Sequence, residues 1–168
     1  MSGKPTFSCQ GCAKCCSNLI VREKAGLMLL PEEVSLFPEA LIKPCLAIGT
    51  FPQDRKFIIL TFQLTEMVCP YLKDKKCMIY NKRPVSCRAY PVVDRPKEPG
   101  LGLASECTEY IALKKQFGAK FELNIPNEYL IAHRFMGERV IPFRNLHDIG
   151  VRRWVYNLKT NKWELYKN

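Results

Sequence analysis

The stretch Cys9-Gln10-Gly11-Cys12-Ala13-Lys14-Cys15-Cys16 sets four thiols within eight residues. Two ligands separated by two residues can turn back on one metal ion or cluster, because the loop between them is tight enough to aim both sulfurs inward. Cys9, Cys12 and Cys15 repeat that spacing. Adjacent side chains of extended backbone diverge, so Cys15 and Cys16 are expected to serve different metals or different edges of one cluster.

Working outward, Cys69, Cys77, Cys87 and Cys107 follow at intervals that a fold can gather around the opening run. Eight cysteines divided over two four-ligand sites is the simplest accounting, and spacing alone leaves open which of them share a site. The ninth, Cys45 in Lys43-Pro44-Cys45-Leu46-Ala47, stands among apolar neighbours and reads as a small buried side chain. A disulfide framework is disfavoured, because nine thiols leave one over in any full pairing. Met1 to Ser8 carries no apolar stretch of signal-peptide length, and the longest clean apolar run elsewhere, Ala25 to Leu30, is too short to span a bilayer. The expected setting is therefore the reducing cytoplasm, with no membrane partner.

A chain of 168 residues fits one domain over 1–168, with a cysteine-cluster metal-binding core at 7–110 and a C-terminal helix and hairpin at 119–168 packing on it. The expected class is α+β: a small irregular domain built around cysteine-ligated metal, with short helices, a few strands and a C-terminal β-hairpin. Leu19 to Val21 suggests a short strand. Pro31-Glu32-Glu33 opens a short helix that Pro38 stops, with proline at the first position and carboxylates at the positive end of the dipole. Phe57 to Leu64 is β-branched and aromatic enough for a buried strand leading into Cys69-Pro70.

Pro84 and Pro91 break the segment from Cys77 to Pro91 into two short helical turns, with Cys87 in the second. Asp94 to Gly102 is rich in proline and glycine and reads as a surface loop. Ser105 is placed to cap a helix running to Gly118 with Tyr110, Leu113 and Phe117 on one face. Cys107 then falls in its first turn, where the dipole favours a thiolate. A further helix starts near Pro126 with Tyr129, His133 and Met136 at helical spacing, and the chain ends in a hairpin, Val151 to Leu158 and Trp163 to Tyr166, around Lys159-Thr160-Asn161-Lys162.

Four-cysteine sites hold either tetrahedral zinc or an iron-sulfur cluster. The first three cysteines match the opening of the bacterial ferredoxin run, but its fourth, three residues on and before a proline, is missing. The formal charge of +10 counts thiols as neutral; two four-thiolate sites around zinc or a 4Fe-4S core would lower it to about +6. Lys73, Lys75, Lys76, Arg83, Arg88 and Arg95 lie among the later cysteines, where cations offset sulfur-borne charge.

The opening run, together with Cys69-Pro70-Tyr71-Leu72, Cys77-Met78-Ile79-Tyr80, Arg83-Pro84 and Cys87-Arg88-Ala89-Tyr90-Pro91, resembles the YkgJ-type cysteine-cluster family, described as zinc- or iron-chelating proteins. The likeness is close over residues 7 to 91, and Cys107 would be the eighth family cysteine. It implies metal chelation at Cys9, Cys12, Cys15, Cys16, Cys69, Cys77 and Cys87. Some larger relatives are flagellin lysine methylases that use S-adenosylmethionine and an iron-sulfur cluster. This chain carries no Gly-rich strand-to-helix turn for such a cofactor, so methylase activity is not expected.

The leading expectation is thus a metalloprotein whose Cys9, Cys12, Cys15, Cys16, Cys69, Cys77, Cys87 and Cys107 bind a 4Fe-4S cluster or zinc, the metal organising the fold and passing electrons to a redox or protein partner. One alternative is an enzyme or enzyme subunit with an open-site iron-sulfur cluster that binds S-adenosylmethionine or a small anionic substrate, Arg83 and Arg88 orienting the anion. The other is a zinc-stabilised RNA- or ribosome-associated module. Its basic and aromatic surface would be the terminal hairpin, where Arg152, Arg153, Lys159, Lys162 and Lys167 interleave with Trp154, Tyr156, Trp163 and Tyr166. The simpler reading of that hairpin turns Trp154, Tyr156 and Trp163 to the core. Tyr80 and Tyr90 are read as packing that shields the site, and His133 and His147 as lying outside it, since eight cysteines need no added nitrogen.

Overall fold

The computed structural model describes residues 4–20, 23–94, 101–118, 121–144 and 151–166. Its largest element is an antiparallel sheet of β1 (Met28–Leu29), β2 (Ile42–Gly49), β3 (Ile58–Leu64), β8 (Arg152–Asn157) and β9 (Lys162–Leu165), in the order β1-β3-β2-β8-β9. The class is mixed α+β. The expected strand at Phe57 to Leu64 is β3, but its outer end is not buried: Ile58 and Ile59 are exposed, and only from Thr61 onward does the strand enter the core.

Strand β2 is a feature the sequence reading did not anticipate. Pro44 lacks an N–H, which argues against a strand interior, yet the register shifts between Pro44 and Leu46 and pairing with β8 begins only at Leu46. The bulge absorbs the proline and turns Cys45 inward, so Cys45 is buried as expected and stands apart from the other thiols. The terminal hairpin forms as expected. Asn157 shapes its turn by accepting from the Lys159 N–H at 2.9 Å, and Asn161 takes the left-handed conformation.

Between the sheet strands the chain makes two small hairpins, β4 (Leu72–Lys73) with β5 (Lys76–Cys77) and β6 (Val92–Asp94) with β7 (Leu101–Leu103). The second corrects the expected loop at Asp94 to Gly102, whose two ends are strands; residues 95–100, with Arg95, lie outside those described. The expected strand at Leu19 is not formed. Leu19 instead donates its N–H to Met67 O at 2.8 Å as a single contact, and Val21 lies outside the described residues.

The helices are α1 (Val85–Ala89), α2 (Thr108–Phe117), α3 (Asn127–Arg139) and α4 (Ile141–Arg144), with 3-10 turns at Lys14–Cys16, Pro31–Leu36, Glu39–Leu41 and Tyr80–Lys82. Pro31 opens its turn as expected, and Pro84 divides Tyr80–Lys82 from α1. Ser105 does not cap α2. Its hydroxyl donates to Glu106 at 2.9 Å, and Cys107 itself occupies the cap position without a side-chain bond to the helix.

Apolar burial is divided among three small clusters. One holds Leu19, Leu29, Phe37 and Leu64; a second holds Leu30, Val85, Ala89 and Ala132; the third holds Phe7, Val92, Leu103, Cys107 and Tyr129. Among the described residues no helix is long and apolar enough to cross a membrane.

Candidate metal centre

The opening run is bent by two left-handed residues, Gly11 at φ +64° and Ala13 at φ +60°. Glycine takes that conformation freely; alanine is held in it by the turn that follows, in which the N–H groups of Cys16 and Ser17 and the Ser17 hydroxyl all bond Ala13 O. Cys15 and Cys16 therefore sit in a 3-10 turn rather than in extended backbone. Their sulfurs stand 4.0 Å apart, so the two side chains do not diverge as they would on extended backbone.

Three further segments bring thiols to this turn. Cys69 donates its N–H to Cys16 O at 2.8 Å, which ties the two halves of the cysteine pattern together through backbone. Beyond it, Asp74 and Lys75 both take positive φ, the two-residue turn that lets β4 fold back on β5 and sets Leu72 opposite Cys77. Cys87 rides on α1, which is held from outside by Glu33: one carboxylate oxygen accepts from Val85 N at 2.6 Å and the other from Leu30 N at 2.9 Å. Ser86 adds a bond from its hydroxyl to Met28 O at 2.7 Å. The sequence showed Glu33 only as a first-turn acid; nothing local could reveal that it also caps a helix fifty residues on.

Cys12 and Cys107 come together at the start of α2. The Cys12 sulfur lies 3.6 Å from the Thr108 hydroxyl, next to the buried Cys107 at the helix cap. Cys9 and Cys12 are exposed, as is Cys15, while Cys16, Cys69, Cys77 and Cys87 are half-buried. No cysteine is paired as a disulfide.

Electrostatics follows this layout. Cys16 shares a proton with Cys15, so the Cys15 thiol falls to about 7 and that of Cys16 rises, burial and the nearby Cys87 and Cys69 adding to the rise. Burial pushes Cys87 up to about 12, with the charges of Cys69, Cys15 and Cys77 adding to it and Arg83 opposing. Cys69 is raised chiefly by burial against the N–H groups of Tyr71 and Leu72. Cys107 is raised too: burial comes first, and the N–H groups of Tyr110 and Glu109 at the helix start favour the thiolate as expected but do not outweigh it. Tyr90 is raised by burial and then by Cys107, Cys15, Glu106 and Cys12. Tyr129, raised mainly by burial, also feels Cys9.

This pattern describes thiols that crowd one another with Arg83 as the nearby cation at Cys15 and Cys87: bringing more than one negative charge into such a group costs energy that a bound cation would remove. The donor set is all sulfur, and 4.0 Å is close to the roughly 3.8 Å between two thiolates bound to one tetrahedral ion through bonds of about 2.3 Å. Among the described residues no three Cys, His, Asp or Glu side chains stand close enough together to hold an ion as placed, so binding one would require the thiols to move inward. The residues fit a soft metal.

Arg83 donates from Nε to Tyr80 O at 2.9 Å, with its guanidinium 3.6 Å from the centre of the Tyr80 ring. His133 is buried away from the thiols with Nε2 3.6 Å from Asp94 Oδ1; His147 lies outside the described residues. A cavity of about 350 Å³ opens on the sheet side between Ile20, Lys43, Met67 and Leu158, and no cysteine lines it. In the terminal hairpin Trp154 is buried with Nε1 donating to Gly49 O at 3.0 Å, and Trp163 packs edge-on against Phe57 and Tyr156. Those three rings are engaged in packing; Lys167 is not among the described residues.

The fold is that of a small α+β protein in which several thiols lie close to one another. The chain belongs to the CxxCxxCC family, whose model matches residues 8–117 and is described as "Putative zinc- or iron-chelating domain". The matched span contains every cysteine of the chain. No curated protein and no solved structure matches the chain.

Proposed function

We propose that this protein chelates zinc or iron through Cys9, Cys12, Cys15, Cys16, Cys69, Cys77, Cys87 and Cys107, and that the metal chiefly organises the fold. The observation that carries the reading is the convergence at Cys15 and Cys16, where sulfurs 4.0 Å apart suit two ligands of one ion. In an iron-sulfur cubane each cysteine binds a different iron, so the close pair favours a mononuclear thiolate site over a 4Fe-4S cluster. The organising role is supported by where the thiols lie: Cys69 borders one apolar cluster, Cys87 rides on α1 of the second, and Cys107 belongs to the third. When bound, the metal supplies the positive charge that lets all these sulfurs be thiolates at once. Arg83 lowers the cost at Cys15 and Cys87.

Purification without oxygen, followed by zinc and iron analysis and an optical spectrum, tests the reading. A stoichiometric metal with no sulfide-to-iron absorption is expected. Acid-labile sulfide with a broad visible band would replace the mononuclear site by a cluster, and a metal-free folded protein would defeat the proposal.

A further inference from the structure

Strand β3 is longer than the strand that covers its outer side. Met28 and Leu29 of β1 pair with Gln63 and Phe62, and Leu27 O accepts from Leu64 N, but β1 goes no further along the sheet. Leu30 donates its N–H to the Glu33 carboxylate and accepts the Glu33 N–H, while Pro31, next in register, has no N–H to give. The rest of the outer side of β3, from Ile58 to Leu60, is an open edge on which Ile58 is 55% and Ile59 38% exposed. Backbone polarity alternates along a strand. The Leu64 N–H faces β1 and the Thr65 N–H faces the β2 side, where Leu41 O accepts it, so the N–H and C=O groups of Leu60 and Ile58 point outward with those of Leu64. Among the described residues none bonds to them there. Edge strands are normally blunted by a charge or a proline, and Phe57-Ile58-Ile59-Leu60-Thr61 has neither.

We propose that this edge is covered by the same edge of a second copy of the chain, the two β3 strands running antiparallel about a two-fold axis at Ile59. Ile58 of each copy then exchanges both of its backbone bonds with Leu60 of the other, and the two Ile59 side chains lie opposite each other. What favours a second copy over an unrelated strand is length. An incoming strand has room only from Ile58 to Leu60, because β1 and the turn at Pro31–Leu36 occupy the side beyond. Strand β3 meets that limit by itself, since it starts at Ile58 and the turn closed by Phe57 N to Asp54 O bends the chain just before it. The pairing also sets apolar side chains against apolar side chains, with no like charges opposed along the strand. So short an interface makes a weak, reversible dimer, and the formal charge of +10 on each copy works against it.

Sedimentation of the full chain, as purified, from micromolar to millimolar concentration tests this. A reversible monomer–dimer equilibrium is expected, and added salt should strengthen it by screening the repulsion between the copies. Ile59→Lys, at an exposed position, should weaken dimerisation at least about tenfold by setting two ammonium groups face to face, whereas Leu165→Lys, on the opposite edge strand β9, should leave it unchanged. Hydrogen exchange locates the contact: the Ile58 and Leu60 amides should exchange freely in dilute solution and slow as the protein is concentrated. That readout on the unaltered chain decides the matter even if Ile59→Lys fails to fold. A chain that stays monomeric at millimolar concentration, a dimer indifferent to Ile59→Lys, or one that leaves those two amides unprotected would overturn the proposal. Association that salt weakens would overturn it as well, since it marks a contact held by opposite charges.

Discussion

In the sheet, Leu29, Thr61, Gln63 and Leu64 are all 0% exposed, and the Gln63 side chain satisfies the Gly26 N–H, Pro44 O and Tyr156 O, joining three stretches of chain. Across the molecule, the segments that carry Cys15, Cys16, Cys69, Cys77 and Cys87 are a 3-10 turn, a two-residue hairpin and a five-residue helix, none long enough to hold its own shape. One region is completed by apolar burial and hydrogen bonds. The other sets its thiols beside small apolar clusters, and under the function proposed above a bound ion would complete it.

The sharpest way to break this comparison is to remove metal. Chelation should strip hydrogen-exchange protection from α1, the β4–β5 hairpin and the start of α2 while β2, β3 and β8 keep theirs; loss of protection throughout would show that the two regions do not differ. Gly26→Ala comes next. A Cβ there would stand 1.8 Å from Leu64 O, so at least about 3 kcal/mol of stability should be lost, with metal still bound to whatever fraction folds. Denaturant titration of metal-loaded protein measures it, and a near-neutral result would contradict the close approach of this segment to β3. Gln63→Leu tests the same region from inside: it orphans three buried backbone groups and should cost about 3 kcal/mol without changing metal content.

Glu33→Gln is predicted to act on the other region. It weakens the bond to Val85 N, and should cost about 1 to 2 kcal/mol and loosen metal as well, because Cys87 rides on the helix it holds. A competition titration against a chromogenic chelator reads the second effect, which a purely local role would not produce. The smallest effect concerns Cys45, whose thiol burial raises from 9.0 to about 11. The unfolded chain gives up this proton first, so the effect is nil at neutral pH and stability declines between pH 9 and 11, by about 3 kcal/mol at most. Cys45→Ala should flatten that alkaline decline; an unchanged slope would place its origin elsewhere.

What the sequence made legible is what local chemistry determines. Pro84 and Pro91 end helices wherever they occur, and Cys87 duly lies in a short helical turn between them. The Val151 to Leu158 hairpin was readable from alternation and turn residues. The thiols were legible as a set for the same reason, since two-residue spacing is a local signal. Strand β2 was obscured by Pro44, whose missing N–H is tolerated only because of a bulge set by pairing with β3. The roles of Glu33 and Gln63 depend on residues far away in sequence, and no periodicity encodes them. Cys15 and Cys16 misled because divergence holds for extended backbone, and it was the left-handed Ala13 with the turn after it that brought their sulfurs together.

X-ray absorption at the edge of the metal bound in the protein purified without oxygen probes the centre most directly. A first shell of sulfur alone at about 2.3 Å, with no metal–metal vector, is the predicted result. A shell dominated by nitrogen or oxygen would mean that other side chains hold the ion and that the convergence at Cys15 and Cys16 is not its binding place.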